Sequence, residues 1–169
     1  MFSASVDTAV NVLLALTCVV VLAKYTHDWW RETTPRPNGP AAGLRTGERV
    51  NGLEGQVWPE RSLLVFVRSN CHFCTQSMGL YRDLRERAHE AGTQFIAVGQ
   101  EPKDVIGEYL RSNGVTPDEV LSAPPARTRV FATPTVAIVD SKGTVLQVWV
   151  GKLSPDAETN VKAMLARRQ

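Results

Sequence analysis

The first apolar block of the chain is continuous rather than periodic. Between Ala9 and Ala23 only Asn11 and Thr17 interrupt it, and no residue is charged. As a helix, Val6 to Ala23 spans roughly 27 Å, close to the thickness of a bilayer core. Lys24, Trp29, Trp30 and Arg31 follow, in the manner of an interfacial anchor. The pattern therefore predicts a single membrane-spanning helix within residues 1–30. Two other readings fit less well. A cleaved signal peptide lacks its basic start and small-residue cleavage site here, and a buried core helix is less consistent with the flanking residues. Cys18 lies inside the run and reads as a small buried hydrophobe.

The pattern then changes. Arg31 to Gly52 is rich in Pro and Gly and poor in apolar residues, which marks residues 31–42 as a linker ahead of a folded domain at 43–169. Arg49 to Val57 suggests a short strand or hairpin. "SLLVFV" (Ser62–Val67) is an apolar run of strand length, as in a strand covered on both faces. From Cys71 the period becomes helical, through Phe73, Leu80, Tyr81, Leu84, Ala88 and Ala91, with Gly92 as the stop. "TQFIAVG" is a second buried strand, "PKDVIGEYLRSNG" a second helix and "DEVLSA" a short strand. "TPTVAIVDSKGTVLQVWVGK" is a strand pair around Asp140–Gly143. Ser154 and Pro155 open a last helix. Strands separated by helices pair in parallel through right-handed crossovers, and the final hairpin adds antiparallel pairing. The fold class is α/β, a mixed central sheet with helices on both faces.

Composition narrows the function. The apolar share is 43%, the charged share 21% and the net charge +2, so a disordered chain is excluded and nothing calls for a nucleic-acid partner. Three cysteines in 169 residues do not make a disulfide scaffold. Cys71 and Cys74 stand three apart where a helix begins. There the first sulfur meets free backbone N–H groups that stabilise a thiolate, and the second is within reach to close a disulfide. His72, if protonated, would favour that thiolate further; otherwise it is a solvated side chain. Phe73 packs or forms an apolar rim for a partner. A structural zinc site needs about four ligands, and His27, His72 and His89 offer no matching spacing. "FVRSNC" lacks the Pro and Thr that precede a peroxidatic cysteine. Glu101 and Asp104 read as a solvated helix start.

Two motifs, "LLVFVRSNCHFC" and, about sixty residues on, "FATPTVAIVDSKGTVLQVWVG", resemble the thioredoxin superfamily. Within it they are most similar to the membrane-anchored TlpA/ResA-like thiol-disulfide oxidoreductases of bacteria, with a MauD-like plan of anchor and domain. The resemblance runs from about Gly43 to the C-terminus and implies a thioredoxin-like fold. It further implies that Cys71 attacks and Cys74 resolves. Pro134 would be a cis-proline facing the pair, and Thr133 would offer its backbone to an extended substrate. His72 and Phe73 would tune the redox balance. Asn70 stands where Trp is common, and the inner pair His72-Phe73 lacks the usual Pro, so the direction of electron flow is left open.

Protein dithiols or disulfides would be the substrates, with no cofactor or metal and with an electron donor in the membrane. The family plan places the domain on the periplasmic side of a bacterial inner membrane, whereas Lys24, Arg31 and Arg36 favour the cytoplasm under the positive-inside rule. The alternative is a binding or chaperone module on this fold, or copper delivery through the two thiolates.

Overall fold

The computed structural model describes residues 16–25, 43–53 and 55–167. The chain divides into two units, Met1–Pro37 and Asn38–Gln169. In the first, residues 16–25 form helix α1, exposed along its whole length. No helix among the described residues is long and apolar enough to cross a membrane. The span expected over Val6–Ala23 begins outside the described residues. Trp29, Trp30 and the linker 31–42 lie outside them altogether. Cys18 is exposed rather than buried. Leu16, Val19, Val20, Val21 and Leu22 beside it are exposed too, so the apolar character of this helix does not arise from a protein core.

The second unit is built on a five-stranded sheet of order β3-β2-β1-β4-β5. Strand β1 (Arg61–Val67) is central. It pairs in parallel with β2 (Gln94–Gly99), which pairs in parallel with β3 (Glu119–Ser122). On its other side it pairs antiparallel with β4 (Thr135–Asp140), which turns into β5 (Val145–Val150). The continuous apolar run of β1 is explained by its position. Leu63, Val65 and Val67 join one core cluster, Leu64 and Phe66 the other, and all five are buried. Alternation still operates, but both faces are covered.

One face is covered by α3 (Met78–Glu90), α4 (Lys103–Ser112) and α6 (Pro155–Ala166), through Tyr81, Leu84, Ile106, Leu110, Val161 and Leu165. On the other face lie Leu44, Val50, Leu53 and Trp58, together with Ala123 and Val130, which flank the one-turn helix α5 (Pro125–Thr128). Segment 49–57 is not a strand. It contributes a bridge, Arg49 to Thr144, because Val50 and Leu53 serve as a cover for the sheet and not as part of it. Helix α5 has too few residues for a periodic signal and was not foreseen.

The helix expected from Cys71 onward is two helices, α2 (His72–Gln76) and α3, meeting at Ser77. Ser77 Oγ donates to the Phe73 carbonyl at 2.8 Å. Such back-bonding to residue i−4 bends helices. The break takes Phe73 off the apolar stripe and leaves it 53% exposed.

Two glycines test this packing. A Cβ on Gly99 would stand 2.7 Å from Ile106 Cδ1 in the core, whereas one on Gly79, in α3, meets only Arg82 Nη2 at 3.9 Å. Gly99→Ala should therefore lose about 1–3 kcal/mol through overpacking. Gly79→Ala should gain about 0.5–1 kcal/mol by restricting the unfolded chain. Urea unfolding of both variants measures the two signs.

Candidate functional site

Topology assembles the site. β1 and β2 are parallel, so both end at the same edge of the sheet. β4 is antiparallel to β1 and pairs Thr135 with Phe66, so the segment entering β4 reaches that edge as well. Three chain segments thus converge: 68–71, 99–101 and 131–134.

Cys71 is the N-cap of α2, in extended conformation with φ −92° and ψ 110°. Its Sγ accepts from Cys74 N–H at 3.2 Å. As a thiol it also donates to the Thr133 carbonyl at 3.3 Å. The Thr133–Pro134 bond is cis, as the resemblance implied, and its Thr133 carbonyl sits directly against the Cys71 sulfur. Both cysteines are free thiols and buried, Cys71 at 7% exposure and Cys74 at 0%. The edge of Cys71 is therefore the only part of the pair that meets solvent.

The two sulfurs differ in acidity. Burial pushes Cys71 up, but hydrogen bonding from Cys74, from Thr133 and from the backbone at Cys74 and Phe73 outweighs it, so its pKa lies below the ordinary thiol value. Burial and the hydrogen bond with Cys71 push Cys74 up to about 12. One thiol is primed to ionise, and its neighbour keeps its proton.

His72 and Phe73 both point outward, with rings 5.7 Å apart. His72 Nε2 lies 2.8 Å from Gln76 Nε2, and Lys152 Nζ donates to Gln76 Oε1 at 3.0 Å. A lysine only donates, so Gln76 turns its oxygen to Lys152 and its NH₂ to His72. His72 Nε2 then faces that NH₂ group. The place of His72 is in a surface bridge between α2 and the segment after β5.

Other residues at the site take on roles that their sequence pattern alone does not assign. Glu101 is not part of a solvated helix start: its Oε1 accepts from Ser69 N at 2.9 Å and Ser69 Oγ at 3.0 Å, and its Oε2 is buried. It clamps the loop that carries Cys71. Its position at the C-terminal end of a strand parallel to β1 was the available clue. Asp104 is exposed, as expected. Thr75 and Tyr109 bring their hydroxyls within 3.0 Å of each other beside the pair. Phe131, 64% exposed, lies two residues before Thr133. Among the described residues, no group of three or more His, Cys, Asp or Glu side chains is placed to hold a metal ion.

This arrangement of sheet, capped cysteine pair and cis-proline is the thioredoxin fold, and solved structures share it. The thioredoxin domain of a thiol-disulfide oxidoreductase from Bacteroides vulgatus matches with a TM-score of 0.57 at 15% identity, over 73% of this chain and 99% of that one. A Chlorobium tepidum structure provisionally assigned as the thiol:disulfide interchange protein DsbE matches at 0.55 and 24%, over 73% and 97%. StoA from Bacillus subtilis matches at 0.51 and 16%, over 75% and 98%. No family model matches the chain, and no curated protein does.

The difference between the thiols should be visible in alkylation of the reduced protein. A lowered pKa means that Cys71 is already partly thiolate below the ordinary value of 9.0, so its labelling by iodoacetamide should rise with pH through a midpoint below that value. Cys74, held protonated to about 12 and buried, should stay unlabelled over the same range. Mass mapping after a pH series measures both.

Proposed function

We propose that this chain is a membrane-tethered thiol-disulfide oxidoreductase that reduces disulfides in extracytoplasmic partner proteins, of the kind needed for cytochrome or metalloenzyme maturation. The observation that carries the reading is the unequal pair: a capped, acidified, edge-exposed Cys71 in front of a buried, protonated Cys74. Cys71 thiolate attacks the partner's disulfide and forms a mixed disulfide. Cys74 then attacks Cys71 Sγ and releases the partner as a thiol. Thr133, beside the cis-proline, presents backbone to an extended segment of the partner in the manner of strand addition. Phe73 and Phe131 supply an exposed apolar rim around the same sulfur.

Reduction is favoured over oxidation by the kind of groups that stabilise Cys71. They are neutral hydrogen-bond donors and a helix N-terminus. A strong oxidant instead needs its reduced form heavily stabilised. The apolar segment at Val6–Ala23, exposed where it is described, supports tethering. The domain is placed on the periplasmic side of the inner membrane, supplied with electrons by a membrane donor.

In insulin reduction with dithiothreitol as donor, Cys71→Ser should fall to the uncatalysed rate, and Cys74→Ser should lose turnover while still forming adducts. Full activity in either variant contradicts exchange and favours a binding or copper-delivery role. In intact cells, a membrane-impermeant maleimide should label Cys71 without lysis. Labelling only after lysis contradicts the periplasmic placement.

A further inference from the structure

Tyr81 heads the fully buried side chains of the core by size, yet its hydroxyl has no hydrogen-bond partner. A phenylalanine would fill the same space without burying an unsatisfied polar group. The position of Tyr81 gives that hydroxyl a use. It lies seven residues after Cys74, in the first turn of the helix that follows the break at Ser77. Ser77, where α2 meets α3, stands between Cys74 and Tyr81 in the chain, and the charge of a Cys74 thiolate reaches the phenol. Both residues belong to one core cluster. Ser77 Oγ, which donates to the Phe73 carbonyl, acts on the Tyr81 phenol as well but makes no hydrogen bond with it, and Thr75 and Tyr109 pair with each other. Burial, and after it the charge of a Cys74 thiolate, pushes the Tyr81 phenol up, so it remains a donor.

We propose that the Tyr81 hydroxyl is held in reserve for Cys74: idle while Cys74 is a thiol, it donates to the sulfur when Cys74 becomes the attacking thiolate of the resolving step. The inference rests on the exchange reading above. In that step the Cys74 sulfur pair forms the Cys71–Cys74 bond and the bond between Cys71 and the partner breaks. The departing sulfur takes the electron pair, and the proton lost by Cys74 ends on it, directly or through water. Only the resolving step creates charge at Cys74, so only that step uses Tyr81. The other titratable groups that act on this pair are Cys71 and Tyr109. Asp83 and Lys162, where α3 meets α6, are paired with each other at 2.6 Å.

The test is Tyr81→Phe in the full-length reduced protein, with Cys18→Ser in variant and reference alike because Cys18 is an exposed thiol, mixed with a symmetric nitrobenzoate disulfide whose thiol is coloured on release. Attack by Cys71 releases the first thiol at a rate set by reagent concentration. Resolution by Cys74 releases the second independently of it. The variant should leave the first rate unchanged and slow the second by on the order of tenfold, the usual weight of a hydrogen bond to a charged group, with the pH midpoint of the second phase moved upward. Thermal unfolding should occur at the same temperature or higher, because an unsatisfied group has been removed. An unchanged second phase overturns the proposal, as does equal slowing of both phases or a lowered unfolding temperature, which would reveal a structural partner for the hydroxyl. If the reference protein gives no concentration-independent second release, exchange itself fails, a result distinct from a normal reference matched by its variant.

Discussion

The feature on which the site depends is the helix cap at Cys71. The thiol of an N-cap residue takes the place of the serine or aspartate oxygen that usually accepts a backbone N–H there. Sγ meets Cys74 N–H at 3.2 Å, so one contact both starts α2 and favours negative charge on the sulfur. The same turn fixes Cys74 one turn further on and faces it inward. Local helix geometry thus produces two chemically different thiols from two identical side chains.

The remaining structure holds that cap in place. β1 delivers the chain to the edge of the sheet, and Glu101 secures the loop through Ser69. β4, antiparallel to β1, brings Thr133 against the sulfur from the opposite side. The break at Ser77 leaves α2 a short helix, with its outward face, Phe73 included, available to a partner. Cys74 is buried in the same core cluster as Val67, Met78 and Tyr81, and burial keeps its proton on.

Much of this was legible in the sequence because it rests on local periodicity. The apolar run of β1, the stop at Gly92, the Ser154 cap and the hairpin around Asp140 each carry their own signal. Cys71 and Cys74 could be singled out because their spacing is tied to those elements, and Pro134 through the resemblance of the motif that holds it. What could not be read depends on tertiary neighbours. Phe73 fits a helical stripe on paper but leaves it when Ser77 bends the chain. Glu101 looks like any acid at a helix start until the parallel sheet brings Ser69 beside it. Tyr81 reads as an ordinary core position, since periodicity reports that a residue is buried and not what its polar atom meets. Gln76 and Lys152 are too far apart in sequence to suggest the bridge that engages His72.

The central claim is that Cys71 alone makes the covalent bond to partners and Cys74 alone breaks it. Trapping in cells tests this most directly. Cells expressing Cys74→Ser, Cys71→Ser or the double variant are acid-quenched, and adducts that dissolve on reduction are resolved by mass. The account predicts adducts with Cys74→Ser and none with the other two. Adducts of equal abundance with Cys71→Ser, or none with any variant, would contradict it.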